Sequence, residues 1–237
     1  MKFDSMLATP ISQILRYHPI VKYIKGLKRN NHNLSILEVG SGSSGITKFI
    51  KTEVTGMDIG FSSLQSPYLK KVEHSAIEAF PFKDNEFDVV ISVDCYNYLP
   101  KARRRICLEE MYRVSGKYMC IVIVTENKWY KRVLDKWDKK KKMYMAMESM
   151  EKAGSPTLSE IGGFLKGMNC KYRMERGTPP AVSYFLNILD DNIFTKALGR
   201  TVLKLFVPVL VTLKGKERVY FFITKQHDGK KRLRKNN

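Results

Sequence analysis

The sequence predicts an α/β fold, a Rossmann-like doubly wound sheet that is mostly parallel. Three observations carry that prediction. Apolar, β-branched runs alternate with helical spacing along much of the 237 residues, the order that builds a parallel sheet with helices on both faces. A glycine-rich turn follows the first such run, Glu38-Val39-Gly40-Ser41-Gly42-Ser43-Ser44-Gly45, and a second run closes on Val54-Thr55-Gly56-Met57-Asp58. Glu86 to Asp94 is a run of β-branched residues ending in a carboxylate, the pattern of a buried parallel strand.

In chain order, residues 5–28 place Ile11, Ile14, Leu15, Ile20, Val21, Ile24 and Leu27 at helical spacing, interrupted by Pro19. The spacing predicts two short amphipathic helices, with Lys22, Lys25, Lys28 and Arg29 making a basic outer face. Asn30 to Asn33 reads as a loop. Ser35 to Gly60 reads as strand, glycine turn, helix, strand. Val72 to Ser75 is a short third strand. After the Glu86–Asp94 strand, Lys101 to Val114 is predicted helical, with Ile106, Cys107, Met111 and Val114 inward and Arg103, Arg104 and Arg105 outward. Lys117 to Val124 is a fifth strand. Thr157-Leu158-Ser159-Glu160 matches a capping box opening a helix through Met168. Cys170 to Glu175 and Arg218 to Thr224 complete the strands.

Glycines let the backbone turn sharply and approach a ligand, and a carboxylate ending the next strand can accept from both hydroxyls of a ribose. The stretch therefore reads as an adenosine-cofactor cradle. Gly40, Gly42 and Gly45 also satisfy G-x-G-x-x-G, a dinucleotide fingerprint that is weak alone. Glu38 discriminates, because a carboxylate two residues before the turn would repel a pyrophosphate and attract a cationic amino-acid head. An acidic residue followed by x-Gly-x-Gly resembles the first motif of the class I S-adenosylmethionine-dependent methyltransferases. Phe80-Pro81-Phe82 and Phe87 to Ser92 are similar to the broad small-molecule group of that family. The likeness covers residues 34–126 well and 157–175 loosely.

That resemblance implies a seven-stranded sheet whose last strand is antiparallel, and S-adenosylmethionine as cofactor. It implies that Glu38, Gly40, Ser41 and Gly42 hold the methionine portion, with Gly45 and Ile59 in the same site and Asp58 on the ribose. Ala76 and Ile77 would line the adenine, Ala76 standing where many relatives carry an aspartate. Asp94 falls at the cofactor or acceptor. Asn97 and Tyr98 replace a Glu-His pair of many relatives, so the catalytic candidates are Asp94, Tyr96 and Asn97. His18 is a distant possibility, since a lone histidine beside a proline is more often structural. No Asn/Asp-Pro-Pro-aromatic motif and no Pro-Cys pair occurs, which argues against amino methylation of adenine or glutamine by that route and against cytosine C5 chemistry.

Two insertions exceed ordinary connections and are expected to carry specificity. In 127–153, Trp129, Val133 and Trp137 precede Lys139–Lys142 and a methionine cluster. This is either a lid with a basic face or a solvated lysine run beside a core stripe. In 178–214, Leu198, Val202, Leu205 and Phe206 oppose Lys196, Arg200 and Lys204, fitting either a membrane-surface helix or a substrate cap. The expected organisation is a helical cap over 1–33, a cofactor domain over 34–224 and a disordered basic tail over 225–237.

The formal net charge of +19 points to an anionic partner or to a solvated lysine-rich surface. Four scattered cysteines without a C-x-x-C pair fit a reduced intracellular protein and no metal site. No apolar run reaches the length needed to span a bilayer, so the expected location is cytoplasmic, or peripheral at a membrane surface. Three functions remain: methyl transfer to a small-molecule or lipid-like acceptor, RNA methylation using the basic lid and tail, and a non-catalytic cofactor- or partner-binding module. No separate RNA-binding module is recognisable.

Overall fold

The structure is a computed structural model that describes residues 11–61, 66–125, 152–179, 182 and 206–226. Most of both insertions and of the basic tail lie outside the described residues, so the lid stripe, the lysine run, the Lys196-Arg200-Lys204 face and the tail receive no structural account.

Seven strands form one sheet. They are β1 (Ile36–Val39), β2 (Val54–Asp58), β3 (Leu69–Glu73), β4 (Phe87–Val93), β5 (Ser115–Val124), β6 (Cys170–Arg176) and β7 (Arg218–Lys225). Their spatial order is β3-β2-β1-β4-β5-β7-β6. β1 to β5 pair in parallel, and β7 is antiparallel to both β5 and β6. The expected Rossmann-like sheet, with its last strand antiparallel, is what the chain forms.

Alternation along the strands divides the core. Ile36, Val89, Ile91, Val93, Cys120, Val122, Tyr220 and Phe222 face helix α1 (Ile11–Lys28), which buries Ile11, Ile14, Leu15, Ile20 and Ile24 against them. Leu37, Val39, Val90, Met119, Ile121, Ile123, Phe221 and Ile223 face the other way. They are covered by α2 (Arg104–Val114) through Cys107, Leu108 and Met111, and by α3 (Leu158–Lys166) through Ile161 and Leu165. Both faces of the central strands are thus dry, which explains why those strands are mostly apolar, whereas the edge strands β3 and β6 carry exposed charged residues. A last helix, α4 (Val207–Leu210), packs beside α1.

Four expectations change. Pro19 lies inside one continuous helix instead of dividing two. Proline removes one backbone hydrogen bond and clashes with the preceding turn, but Ile14, Leu15, Ile20 and Ile24, on both sides of it, pack into the same core. The segment after the glycine turn is a single 3-10 turn, Gly45–Lys48. Helix α2 begins at Arg104, after a 3-10 turn over Lys101–Arg103. Arg104 itself is fully buried, not outward. Its Nε donates to the Leu99 carbonyl (3.0 Å), Nη2 donates to the carbonyls of Ala153 and Gly154, and the guanidinium lies over the Tyr96 ring.

Candidate functional site

The strand order reverses between β1 and β4, the place where open α/β sheets bind ligands beyond their carboxyl ends. A cavity of about 740 Å³ opens there, within the range of small-molecule and cofactor sites. Each wall comes from a strand end. β1 runs into Gly40–Gly45, β2 ends at Asp58 and Ile59, β3 continues into His74–Ile77, and β4 ends at Asp94 and Cys95. Helix α1 adds Gln13, Arg16 and Tyr17, while Tyr98, Leu99 and Pro100 form the far lip.

The turn after β1 is held from below. The Gly40 N–H donates to the Met57 carbonyl (2.7 Å), and the Gly42 N–H donates to Asp58 Oδ2 (2.8 Å). Gly40 and Gly45 both have positive φ, and a Cβ would drive the first into Cys95 and the second into the Glu38 carboxylate. Gly42 also has positive φ, +53°, yet nothing lies within 4 Å of its Cβ position. The open side of the turn is therefore at Gly42, where a ligand can approach the backbone.

Glu38 is wholly buried beneath this turn and is not on the cavity wall. Its Oε2 accepts from the Ile46 N–H (2.7 Å) and its Oε1 from the Tyr17 hydroxyl (2.9 Å). Burial pushes its pKa up to about 7, with those two donors pulling the other way. Burial likewise raises the Tyr17 phenol well above its ordinary value, keeping it a donor. Glu38 thus braces the turn to α1 instead of presenting a bare carboxylate to a ligand.

Asp94 stands in the left-handed region, φ 61°, which aspartate tolerates better than most residues. Its Oδ2 lies 3.1 Å from Arg16 Nε and 3.4 Å from Arg218 Nη2. Asp94 Oδ1 and Arg218 Nε and Nη1 are buried with no hydrogen-bond partner. Two guanidinium groups on one carboxylate leave a local positive excess with donors to spare.

Of the residues expected to hold a cofactor, Gly40, Ser41, Gly42, Gly45, Asp58, Ile59, Ala76, Ile77 and Asp94 all line the cavity. Tyr96 and Asn97 do not. Tyr96 is buried and donates to Glu160 Oε1 (2.7 Å). Asn97 donates to the Val124 carbonyl (2.6 Å) and accepts from the Val124 N–H (3.1 Å), tying its turn to the end of β5. His18 is exposed and lies off the cavity wall. Sequence reasoning missed Arg16, Tyr17, Lys48, His74 and Tyr98 on the wall, and Arg218 behind it. Tyr17 carried a usable signal, sitting at helical spacing between Ile14 and Ile20 with a polar group to satisfy. Cys95 is a poor nucleophile, since burial and the nearby carboxylates raise its thiol pKa to about 12.

Residues 37–118, which span β1 to the start of β5 and most of this wall, match the family described as a methyltransferase domain. No curated protein sequence matches this chain. Among solved structures, this chain is similar to the plantazolicin methyltransferase in complex with S-adenosylhomocysteine. Identity is 16%, over 93% of this chain and 86% of that one, with a TM-score of 0.58. It is also similar to magnesium protoporphyrin IX methyltransferase from Synechocystis, with S-adenosylhomocysteine bound. There the identity is 9%, over 91% of this chain and 86% of that one, with a TM-score of 0.52. At these identities the likeness is one of fold, the class I methyltransferase fold. Among the described residues no group of His, Cys, Asp or Glu could hold a metal.

Proposed function

We propose that this chain uses S-adenosylmethionine to methylate a small-molecule or lipid-like acceptor. The observation that carries the reading is the cavity at the β1–β4 reversal. It joins an open glycine turn at Gly42, a strand-end carboxylate at Asp58 and the Ala76–Ile77 edge in one wall. Those parts fit the cofactor. A carboxylate offers about four acceptor positions, and the single hydrogen bond that the Asp58 carboxylate accepts among the described residues, from the Gly42 N–H, leaves capacity for two ribose hydroxyls. Ala76 and exposed Ile59 offer apolar faces for an aromatic base.

The cofactor supplies a sulfonium methyl, an electrophile that needs placement more than activation. The residues present can supply placement. Gly40–Gly42 give backbone close approach, Glu38 and Tyr17 keep the turn rigid, and Asp94 with Arg16 fixes the lip facing the acceptor. Asp94 is the catalytic candidate on the described wall, held by Arg16 and Arg218, and an acceptor already nucleophilic at neutral pH would need no base.

Calorimetry with S-adenosylmethionine and S-adenosylhomocysteine tests the cofactor. Labelled cofactor in a cell extract, followed by detection of methylated products, tests the acceptor. Label in extractable small molecules or lipids is expected, whereas label confined to RNA would overturn the acceptor class.

A further inference from the structure

Residues 206–213 read Phe-Val-Pro-Val-Leu-Val-Thr-Leu, with no charge. Val207 is buried, and Leu210 and Val211 pack against the core cluster that α1 completes. The opposite side is apolar as well. Phe206, Val209 and Leu213 stand 53%, 60% and 42% exposed, at spacings of three and four residues that put them on one face of a helical segment. A segment apolar on both faces belongs in a buried position, yet only one face here is buried.

The surroundings are basic. Lys22 and Lys25 are exposed on α1 and Arg29 just after it, and Lys214 and Lys216 follow the apolar face. Helix α4 packs beside α1, so the α1 lysines and the apolar segment lie on neighbouring elements. Neither α1 nor residues 206–216 contains an acidic residue. Exposed apolar side chains bordered by lysine and arginine are the pattern of a protein resting on an anionic bilayer, the apolar groups entering the acyl boundary and the cations meeting headgroups. A nucleic-acid backbone would satisfy the lysines and give Val209 and Leu213 nothing. No described helix is long and apolar enough to cross a membrane, so the contact would be a surface one.

We propose that Phe206, Val209 and Leu213, with Lys22, Lys25 and Lys214, form a docking surface for anionic phospholipid membranes. The docking stands on this surface alone and does not depend on the proposed reaction.

The test is co-sedimentation of the full chain with vesicles of phosphatidylcholine alone or with about one-third phosphatidylserine, at about 0.1 M and 0.5 M salt. The wild type is expected to bind the anionic vesicles, and much less at high salt. A Phe206→Ser/Val209→Ser/Leu213→Ser variant should lose binding on the order of tenfold or more. Lys22→Glu/Lys25→Glu should lose a comparable factor and much of the salt dependence. Both variants should keep the wild-type melting temperature and S-adenosylhomocysteine affinity, which separates a failure here from a failure of the proposed reaction. Three outcomes overturn the proposal: no wild-type binding, binding unchanged by the serine variant, or an RNA that binds more tightly than the vesicles do.

Discussion

The three glycines of the turn have different duties, and substitution separates them. Gly45→Ala would place a methyl in the Glu38 carboxylate at a positive φ. It should cost about 2–3 kcal/mol of stability, read by urea unfolding. Gly42→Ala meets open space at φ +53°, so it should cost only about 1–2 kcal/mol while weakening cofactor binding, because its methyl points where a ligand approaches. Glu38 has a pH signature. Its folded pKa of about 7 lies above the ordinary value of 4.5, so the folded chain holds the proton more tightly than the unfolded one. The sign follows: this group's contribution is fully present below about pH 4.5 and is lost as pH rises to about 7. Glu38→Gln should flatten that part of the profile, on the order of 1–3 kcal/mol between about pH 5 and pH 8. An unchanged wild-type-minus-variant difference across that range would refute the assignment.

Among the elements, α1 and the turn after β4 show where long-range packing prevails over local signals. Pro19 breaks the hydrogen-bond ladder locally, but the four isoleucines and leucine flanking it are held by strands far along the chain. Pro19→Ala should therefore stabilise the protein, by about 1 kcal/mol or more, through one restored backbone bond. Arg104 is read as outward from a run of three arginines, yet it ties Leu99, Ala153, Gly154 and Glu160 together. Arg104→Ala should cost about 3–5 kcal/mol, since it strips buried carbonyls and a carboxylate of their partner. The strands, by contrast, were legible within a residue or three, because a strand buried on both faces is a local run of apolar residues. The fates of Tyr96, Asn97 and Arg218 were not. Tyr96 is bound 64 residues away and Arg218 faces Asp94 from 124 residues away, and no local pattern encodes such pairings.

At the scale of the molecule, the cofactor wall comes from strand ends, whose glycines and carboxylates are tied to a fixed backbone geometry, and nine of the ten residues expected there are on it. Glu38 is the exception, buried beneath the turn and bonded to Ile46 and Tyr17. The Asp94–Arg16–Arg218 cluster, by contrast, joins residues far apart in the chain at the end of the same sheet. The central claim is that this cavity binds S-adenosylmethionine through the Gly42 turn and Asp58. Calorimetric titration of S-adenosylhomocysteine into the wild type and into Asp58→Ala tests it most directly. The expected result is saturable binding to the wild type, weakened about 10- to 100-fold in the variant, as loss of a charged hydrogen-bond acceptor implies. No wild-type binding at millimolar ligand, or equal affinity for both proteins, would contradict it.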